Sequence, residues 1–409
     1  MFEIKGKYTT AKVMIDVLEA SCIAQIQEMC NNSAFTNPIS IMPDAHTGSG
    51  SCIGFTMKAT DKIIPNVVSV DIGCGMLSYN IGKVSIDHER IDREIRDRVP
   101  FGKTVRAVPH RLSKMVDFKD MFKRVGIDRD YALRSIGSLG GGNHFCEIGV
   151  DENKDVWVTV HTGSRNLGKK VCEYWQKIAV GRRKSIDIGN YSELLDKIKM
   201  ECDKSEWSVK IKELKNRFNV GVVATGLEYL EGSDKSGYIR DMFRAQEYAH
   251  YNRVVIMEEV LDVISNGMGI GVFDMIESVH NFMDPDDMVI RKGAIRSYVG
   301  EKMVIPFNMR DGLLICEGKS NESWNFSAPH GAGRVLSRSM AKKSLDIEEF
   351  RSEMDGIFST SVCSGTLDES PMAYKDSKII EEAIGPTANI LLRVKPIHNM
   401  KDNEGGERD

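Results

Sequence analysis

Asp71-Ile72-Gly73-Cys74-Gly75 sets a carboxylate and a thiol three residues apart, with small residues around them. The two glycines let the backbone bend and approach closely whatever those side chains hold. Far downstream, His144, His161, His280 and His330 each sit inside a Gly- or Asn-containing motif. One Asp, one Cys and three His make a mixed set of hard, borderline and soft donors. A structural zinc site would need more thiolates at closer spacing. Imidazole with carboxylate suits Mn, Fe, Co or Zn, and a thiolate can bridge two metals. The chain is expected to fold so that the histidines return to Asp71 and Cys74. The remaining histidine, His330, is then free to attack phosphorus as a nucleophile.

Phosphate enters through the loops. The run Gly137-Ser138-Leu139-Gly140-Gly141-Gly142-Asn143-His144 offers backbone N–H groups to an anion with no Cβ in the way. No GK[ST] closes it, so it is not a P-loop, and it is not a Rossmann fingerprint. His161-Thr162-Gly163-Ser164-Arg165 reads as a strand end, a turn and a new helix whose N-terminus favours anions. Arg165 adds a bidentate donor. Ser327 to Arg338 sets His330 in a Gly/Ala loop opening a helix, with arginines in its first turns. Pro43-Asp44-Ala45-His46 begins a polar loop after a short strand, a common place for a site. Asp44 and His46 read equally well there as a turn carboxylate and a satisfied core histidine.

The elements that must position these residues follow from periodicity. Met1 to Ser33 reads as a short strand and a helix, and Ile39 to Met42 as a strand. Ile63 to Val70 reads as a buried strand delivering Asp71, with Met76 to Ile81 as the next. Asp87 to Arg98 is a charged amphipathic helix with His88 on its surface. Ala107 to Val125 is a weakly patterned helix in which His110 has no partners. Val156 to Val160 is the strand delivering His161. Lys169 to Lys215 is lysine-rich, mostly helical, and either a solvated face or part of a nucleic-acid track. Asp241 to Ile264 is the clearest long helix, with Met242, Ala245, Ala249, Val254, Met257 and Val260 broadly on one side and a structural His250. Ile276 to Phe282, Val289 to Arg296, Leu313 to Cys316 and Ile390 to Pro396 are strands, and Asp368 to Asp376 starts the last helix.

The whole chain bounds the answer. Its 409 residues allow one large domain or a few ordinary ones. A net charge of −4 means that any nucleic-acid site is a local basic groove. The 9 cysteines are odd in number and form no CxxC pair, which suits a reducing compartment. The N-terminal residues lack a signal peptide's apolar core, and no apolar run reaches membrane-spanning length. A cytoplasmic protein without membrane contact is expected. One domain over residues 1–401 is followed by a polar, disordered tail over 402–409.

Taken together, the motifs resemble the RtcB family of RNA ligases, in order and over essentially the full chain. They are Pro43-Asp44-Ala45-His46, Asp71-Ile72-Gly73-Cys74-Gly75-Met76, Gly141-Gly142-Asn143-His144-Phe145 and His161-Thr162-Gly163-Ser164-Arg165. His280-Asn281, Arg291-Lys292-Gly293-Ala294, His330-Gly331-Ala332-Gly333-Arg334, Ala373-Tyr374-Lys375-Asp376 and the end from Lys395-Pro396 to Lys401 complete the set. The resemblance implies a single α+β domain, with packed β-sheets around a central metal-containing cleft and peripheral helices. It implies joining of an RNA 3′-phosphate or 2′,3′-cyclic phosphate to a 5′-hydroxyl, using GTP and two Mn2+. Asp71, Cys74 and His144 would hold one ion, and Cys74, His161 and His280 the other. His330 would become GMP-histidine, and Asp44 would orient or deprotonate it. Nucleotide-contacting positions map to Asn143, His144, Phe145, Cys146, Glu147, His280 and Asn281. Others map to Pro306, Phe307, Asn308, Met309, His330, Gly331, Ala332, Gly333, Tyr374 and Lys401. An archease-type activator is a possible partner.

The sequence departs from the family at one loop. The usual Pro-Gly-Ser-Met-Gly reads Pro306-Phe307-Asn308-Met309-Arg310, and Leu313 stands where a serine is usual. Phe307 and Arg310 are much larger than glycine, so an altered hold on phosphate and guanine is expected. The alternative function is a paralogue that caps RNA ends or hydrolyses phosphodiesters without ligating.

Overall fold

The computed structural model describes residues 1–218 and 224–403. In chain order its strands are β1 (Phe2–Lys5), β2 (Thr10–Val13), β3 (Ile39–His46), β4 (Ile53–Lys58), β5 (Gly75–Asn80), β6 (Phe145–Val150), β7 (Val156–Thr162) and β8 (Asp274–Val279). They continue with β9 (Asn281–Met283), β10 (Val289–Lys292), β11 (Ala294–Arg296), β12 (Lys302–Pro306), β13 (Leu313–Gly318), β14 (Ser327–Pro329) and β15 (Ala388–Met400). The helices are α1 (Ala20–Cys30), α2 (Pro65–Val68), α3 (His88–Arg98), α4 (Lys119–Val125), α5 (Arg129–Ser135), α6 (Arg165–Glu201), α7 (Trp207–Phe218), α8 (Gly232–Ser265), α9 (Arg338–Ser344), α10 (Ile347–Glu353) and α11 (Ser377–Ala383).

Two sheets carry the site. One runs β1-β2-β3-β4-β10-β9; the other runs β12-β13-β15-β6-β7-β5-β8, antiparallel throughout. The second sheet nearly closes on itself, because Val304 on one edge strand donates its N–H to Ser278 Oγ on the other at 2.8 Å. Side chains alternate across each strand. On β7, Val156, Val158 and Val160 join an outer core with Ile148 of β6 and with Ile256, Met257 and Val260 of α8. Trp157, Thr159 and His161 take the opposite, inner face; Thr159 Oγ1 meets Ser78 Oγ of β5 at 2.7 Å. The inner row therefore ends in His161, at the cleft.

Helix α8 backs both sheets. Its Met242, Ala245 and Tyr248 enter a core shared with β3, β4 and α6, and its later half enters the outer core. Truncating a residue such as Met257 to Ala would cost about 2–5 kcal/mol. Asp87 caps α3, accepting from the Arg90 N–H at 3.2 Å, and Ile91 and Ile95 fix that helix on the outer core.

Several expectations from sequence change. The segment before Asp71 is not a strand: Pro65 opens the short helix α2, and Val67 and Val68 are buried from it. A short apolar run does not distinguish the two by periodicity. The segment 43–46 is strand, not loop. Its register with β4 shifts between Ile41 and His46, and Lys375 Nζ meets the carbonyls of Pro43 and Ala45 at 3.2 and 3.0 Å. The first 33 residues hold two strands before their helix. Residues 107–125 hold a 3₁₀ turn, Arg111–Val116, and then α4. His110 caps that turn through Leu112 N–H. His88 is half-buried and stacks on Phe358. His250 is exposed and pairs with Glu277. The last helix starts at Ser377, after 3₁₀ turns over Ser364–Glu369 and Pro371–Ala373. Asp402, assigned to the tail, is buried; residues 404–409 lie outside the described ones. Among the described residues no helix is long and apolar enough to cross a membrane.

Candidate active site

The Asp71–Gly75 turn is stitched to the β8–β9 junction. Gly73 donates its N–H to the Asn281 carbonyl at 2.7 Å, and His280 donates its N–H to the Cys74 carbonyl at 2.9 Å. Gly73 has φ +77°, and a Cβ there would stand 2.9 Å from Gln246 Cα of α8. Only glycine gives this conformation at this approach without strain. Cys74 is thereby set among the histidines. Its Sγ lies 3.5 Å from His144 Nε2 and 3.4 Å from His161 Nε2. His161 Nε2 lies 3.2 Å from His280 Nε2, and His144 Nε2 lies 3.1 Å from Asp71 Oδ2.

Two donor groups result, Asp71–Cys74–His144 and Cys74–His161–His280, with the thiol common to both. His144 is aimed from behind: its Nδ1 donates to the Leu139 carbonyl at 2.9 Å, leaving Nε2 for the cluster. Burial pushes His161 and His280 well below the usual histidine range, so their imidazoles are neutral. Burial, with Asp71 beside it, pushes the Cys74 thiol up. Burial also pushes Asp71 up, but the hydrogen bond and charge from His144, together with Cys74 and Arg165, hold it low. Neutral imidazole lone pairs thus face one another beside a thiol and a carboxylate. A divalent cation would satisfy them and favour the thiolate, so the donor set is compatible with metal binding at either group.

His330 stands next to this cluster, with its ring centroid 4.8 Å from that of His280. Asp44 is fully buried on β3. Its Oδ2 accepts from His330 Nδ1 at 2.6 Å, from the His330 N–H at 3.0 Å and from the Gly331 N–H at 3.1 Å. The carboxylate fixes both the loop and the ring, leaving Nε2 as the reactive nitrogen. Burial lowers His46, on the same strand, to about 4.

A cleft of about 440 Å³ joins these groups to a charged network. Glu369 accepts from Tyr374 Oη at 2.6 Å and pairs with Lys401 Nζ at 3.1 Å and Arg334 Nη1 at 3.3 Å; Arg338 also reaches it. Lys401 Nζ also donates to the Asn143 carbonyl at 3.2 Å. Burial pushes Glu369 up, but Lys401, Arg338 and Arg334 together hold it far below the carboxylate range. Glu147 has less compensation: burial raises it to about 8, against one hydrogen bond from Asn399 at 2.8 Å and the charge of Lys401.

The expected site residues converge. Asp71, Cys74, Asn143, His144, Phe145, Glu147, His161, His280, Asn281, Pro306, Phe307, Asn308, Met309, His330, Gly331, Ala332, Gly333, Tyr374 and Lys401 all line the cleft. Asp44 lies behind His330. Cys146 does not converge: strand alternation turns its side chain from Phe145 and Glu147 into the outer core. Arg165 is occupied by Ser138 Oγ at 3.1 Å and the Gly102 carbonyl at 2.6 Å. The divergent loop lines the cleft with Phe307, Asn308 and Met309 but sinks much of its bulk elsewhere. Phe307 packs with Ile305 and Ile384, Leu313 is core, and Arg310 pairs with Asp311 and Glu353. Sequence reading missed Glu369, which no motif flags, and Asn252-Arg253, a polar pair buried in mid-helix on α8.

Comparison with known proteins agrees with this geometry. Residues 25–402 match the family model described as tRNA-splicing ligase RtcB. The chain is similar to an RNA-splicing ligase RtcB1 of Escherichia coli, 28% identical over 401 residues, covering 89% of this chain and 90% of that protein. A tRNA-splicing ligase RtcB of Nanoarchaeum equitans is 25% identical over 487 residues, covering 96% and 94%. An RNA-splicing ligase RtcB of Mycobacterium tuberculosis is 27% identical over 448 residues, covering 88% and 96%.

Proposed function

The chain belongs to the RtcB family of RNA ligases, and from that premise we propose that it joins an RNA 3′-phosphate, or a 2′,3′-cyclic phosphate, to a 5′-hydroxyl with GTP and Mn2+. The observation that carries this reading is the buried Asp44 carboxylate on His330 Nδ1 at 2.6 Å, beside the donor cluster. The carboxylate on Nδ1 leaves Nε2 free to attack and offsets the positive charge that grows on the ring as Nε2 bonds to phosphorus. His330 Nε2 attacks the α-phosphorus of GTP, the N–P bond forms and pyrophosphate leaves. GMP then passes to an oxygen of the RNA 3′-phosphate and the N–P bond breaks. The RNA 5′-hydroxyl attacks the activated phosphate, a new phosphodiester forms and GMP leaves. A cyclic phosphate is first opened by water, whose oxygen bonds to phosphorus as the P–O2′ bond breaks and the 2′-oxygen takes up a proton, leaving a 3′-phosphate.

Two Mn2+ ions, one held by Asp71, Cys74 and His144 and the other by Cys74, His161 and His280, would polarise phosphoryl oxygens and offset their charge. Arg334, Arg338 and Lys401 supply cations to the same cleft. Phe145 and Tyr374 offer ring faces, and Asn143, Glu147 and Asn281 polar groups, for the nucleotide.

The test is incubation with Mn2+ and α-labelled GTP, with ATP in parallel and with or without an archease-type activator, followed by denaturing electrophoresis. An acid-labile label from GTP on the unaltered chain, and none on His330→Ala, is expected. Joined RNA from the His330→Ala chain would overturn the mechanism.

A further inference from the structure

Asn252 and Arg253 are adjacent in the middle of α8, 0% and 1% exposed. Polar side chains that deep must be fully hydrogen-bonded, and here the partners are the backbones that carry the donor atoms. Arg253 Nη1 donates to the Gly73 carbonyl at 2.7 Å and the Thr162 carbonyl at 2.9 Å. Gly73 precedes Cys74 and Thr162 follows His161. Arg253 Nε donates to Glu277 Oε1 at 2.9 Å, and Glu277 lies on β8, three residues before His280. One guanidinium therefore touches the segment of every member of the Cys74–His161–His280 group.

Asn252 meets Arg253 at one segment, where its Nδ2 donates to Thr162 Oγ1 at 3.3 Å, and otherwise reaches different ones. Its Oδ1 accepts from the N–H groups of Gly137 and Ser138 at 2.8 and 3.2 Å. Its Nδ2 donates to the carbonyls of Ser138 and Gly163 at 3.1 Å each. The 137–139 turn supplies the Leu139 carbonyl that orients His144. The turn at Gly163 leads to the Ser164 N–H, which donates to Asp71 Oδ1 at 3.2 Å. These are the supports of the Asp71–Cys74–His144 group.

We infer that Asn252 and Arg253 are positioning residues for the donor cluster, with Arg253 bearing chiefly on the Cys74–His161–His280 half and Asn252 chiefly on the Asp71–Cys74–His144 half. This rests on the reading of the cluster as a two-ion centre. Both are missed by a reading that looks only for donors, because neither faces the cleft.

The test is equilibrium dialysis of Mn2+ against the full chain, without nucleotide or RNA, alongside its metal-free melting temperature. The unaltered chain takes up two equivalents; failure to bind would overturn the two-ion reading and this inference with it. Arg253→Met and Asn252→Ala each bind one equivalent about 10- to 100-fold more weakly and the other, which shares Cys74, with a smaller loss. The halves are told apart in a His144→Ala background, where only the Cys74–His161–His280 half is complete. There Arg253→Met weakens the remaining ion about 10- to 100-fold and Asn252→Ala weakens it much less. Glu277→Gln, which keeps the cation but loosens its hold, gives a smaller loss in the same half. Asp241→Asn is the control, on the same helix, where Asp241 pairs with Arg124 at 2.6 Å and touches none of these segments. It lowers the melting temperature without changing Mn2+ binding. If Arg253→Met and Asn252→Ala behave like that control, they are merely structural. If both weaken both halves alike, the division is wrong.

Discussion

His161 and His280 turn their Nε2 atoms on each other at 3.2 Å and bury Nδ1 atoms with no hydrogen-bond partner among the described residues. Elsewhere in the same cleft, Glu369 meets Lys401, Arg334, Arg338 and the Tyr374 hydroxyl, and Arg338 also reaches Asp368 at 2.7 Å. The first region gathers possible metal donors around one thiol, and its geometry is held by backbone and by buried groups behind it. The second is complete by itself, and any ligand there must compete with ion pairs already made. Damage to the first should stop chemistry in a folded protein. Damage to the second should cost the fold first, because a buried charge left unpaired is expensive.

The sharpest way to break this comparison is Asp44→Asn. The amide oxygen can still accept from His330 and Gly331, so the loop keeps its shape, but the carboxylate charge that would offset charge growing on the ring as it bonds to phosphorus is gone. The GMP-labelling rate should fall about 10²- to 10⁴-fold, with Mn2+ uptake and melting temperature near those of the unaltered chain. A fall in melting temperature that accounts for the lost labelling would make Asp44 a fold residue and erase the contrast.

Glu369→Gln probes the other region. It leaves three cations facing a neutral amide, and unfolding stability at neutral pH should drop by about 3 kcal/mol, measured by denaturant titration. The pH dependence gives the sign. Burial raises this carboxyl and the three cations lower it further, so its folded value lies below its unfolded one. The stability it confers is present above the ordinary carboxylate range, near pH 4–5, and is lost as pH falls through and below that range. The Gln chain should lack that part of the acid-induced loss. Equal acid sensitivity in both chains would mean that the network contributes nothing to the fold.

The same contrast explains what the sequence disclosed. Asp71, Cys74 and the histidines are legible because few side chains ligate metals, and glycines mark the close approaches around them. The α+β class follows from β-branched strands such as 156–160 and from the long period of α8. The supports are less legible. Asn252-Arg253 looks like an ordinary polar pair on a helix, and only the fold shows that α8 backs both sheets there. Glu369 gains meaning from Arg334, Arg338 and Lys401, which are 35, 31 and 32 residues away. The strand over 43–46 is hidden because Pro43 and Asp44 suit no ladder; Lys375, 330 residues from Ala45, supplies the missing partner. The turn to α2 is hidden because Ile63, Ile64, Val67 and Val68 are buried in either conformation.

The divergent loop belongs to neither region, and it yields the smallest expected effect. Size alone suggests that Arg310 and Phe307 alter the hold on the nucleotide, but Arg310 points away from the cleft and Phe307, at its wall, keeps most of its ring in the core. Asn308 Oδ1 accepts from the N–H groups of Arg310 and Asp311 at 3.0 and 2.9 Å. That turn sends Arg310 toward Asp311 and Glu353 on the exposed side. Arg310→Gly therefore removes surface ion pairs worth about 0–1 kcal/mol, and the GTP concentration for half-maximal labelling should move less than about fivefold on that scale. Phe307→Gly restores the other family glycine at a different cost, since the ring is 4% exposed in the core beside Ile305 and Ile384. It should lose about 3–5 kcal/mol of stability while the preference for GTP over ATP stays as it was. A changed preference in the Arg310→Gly chain would mean that the loop reads the base after all, and that the cleft has a third region with its own logic.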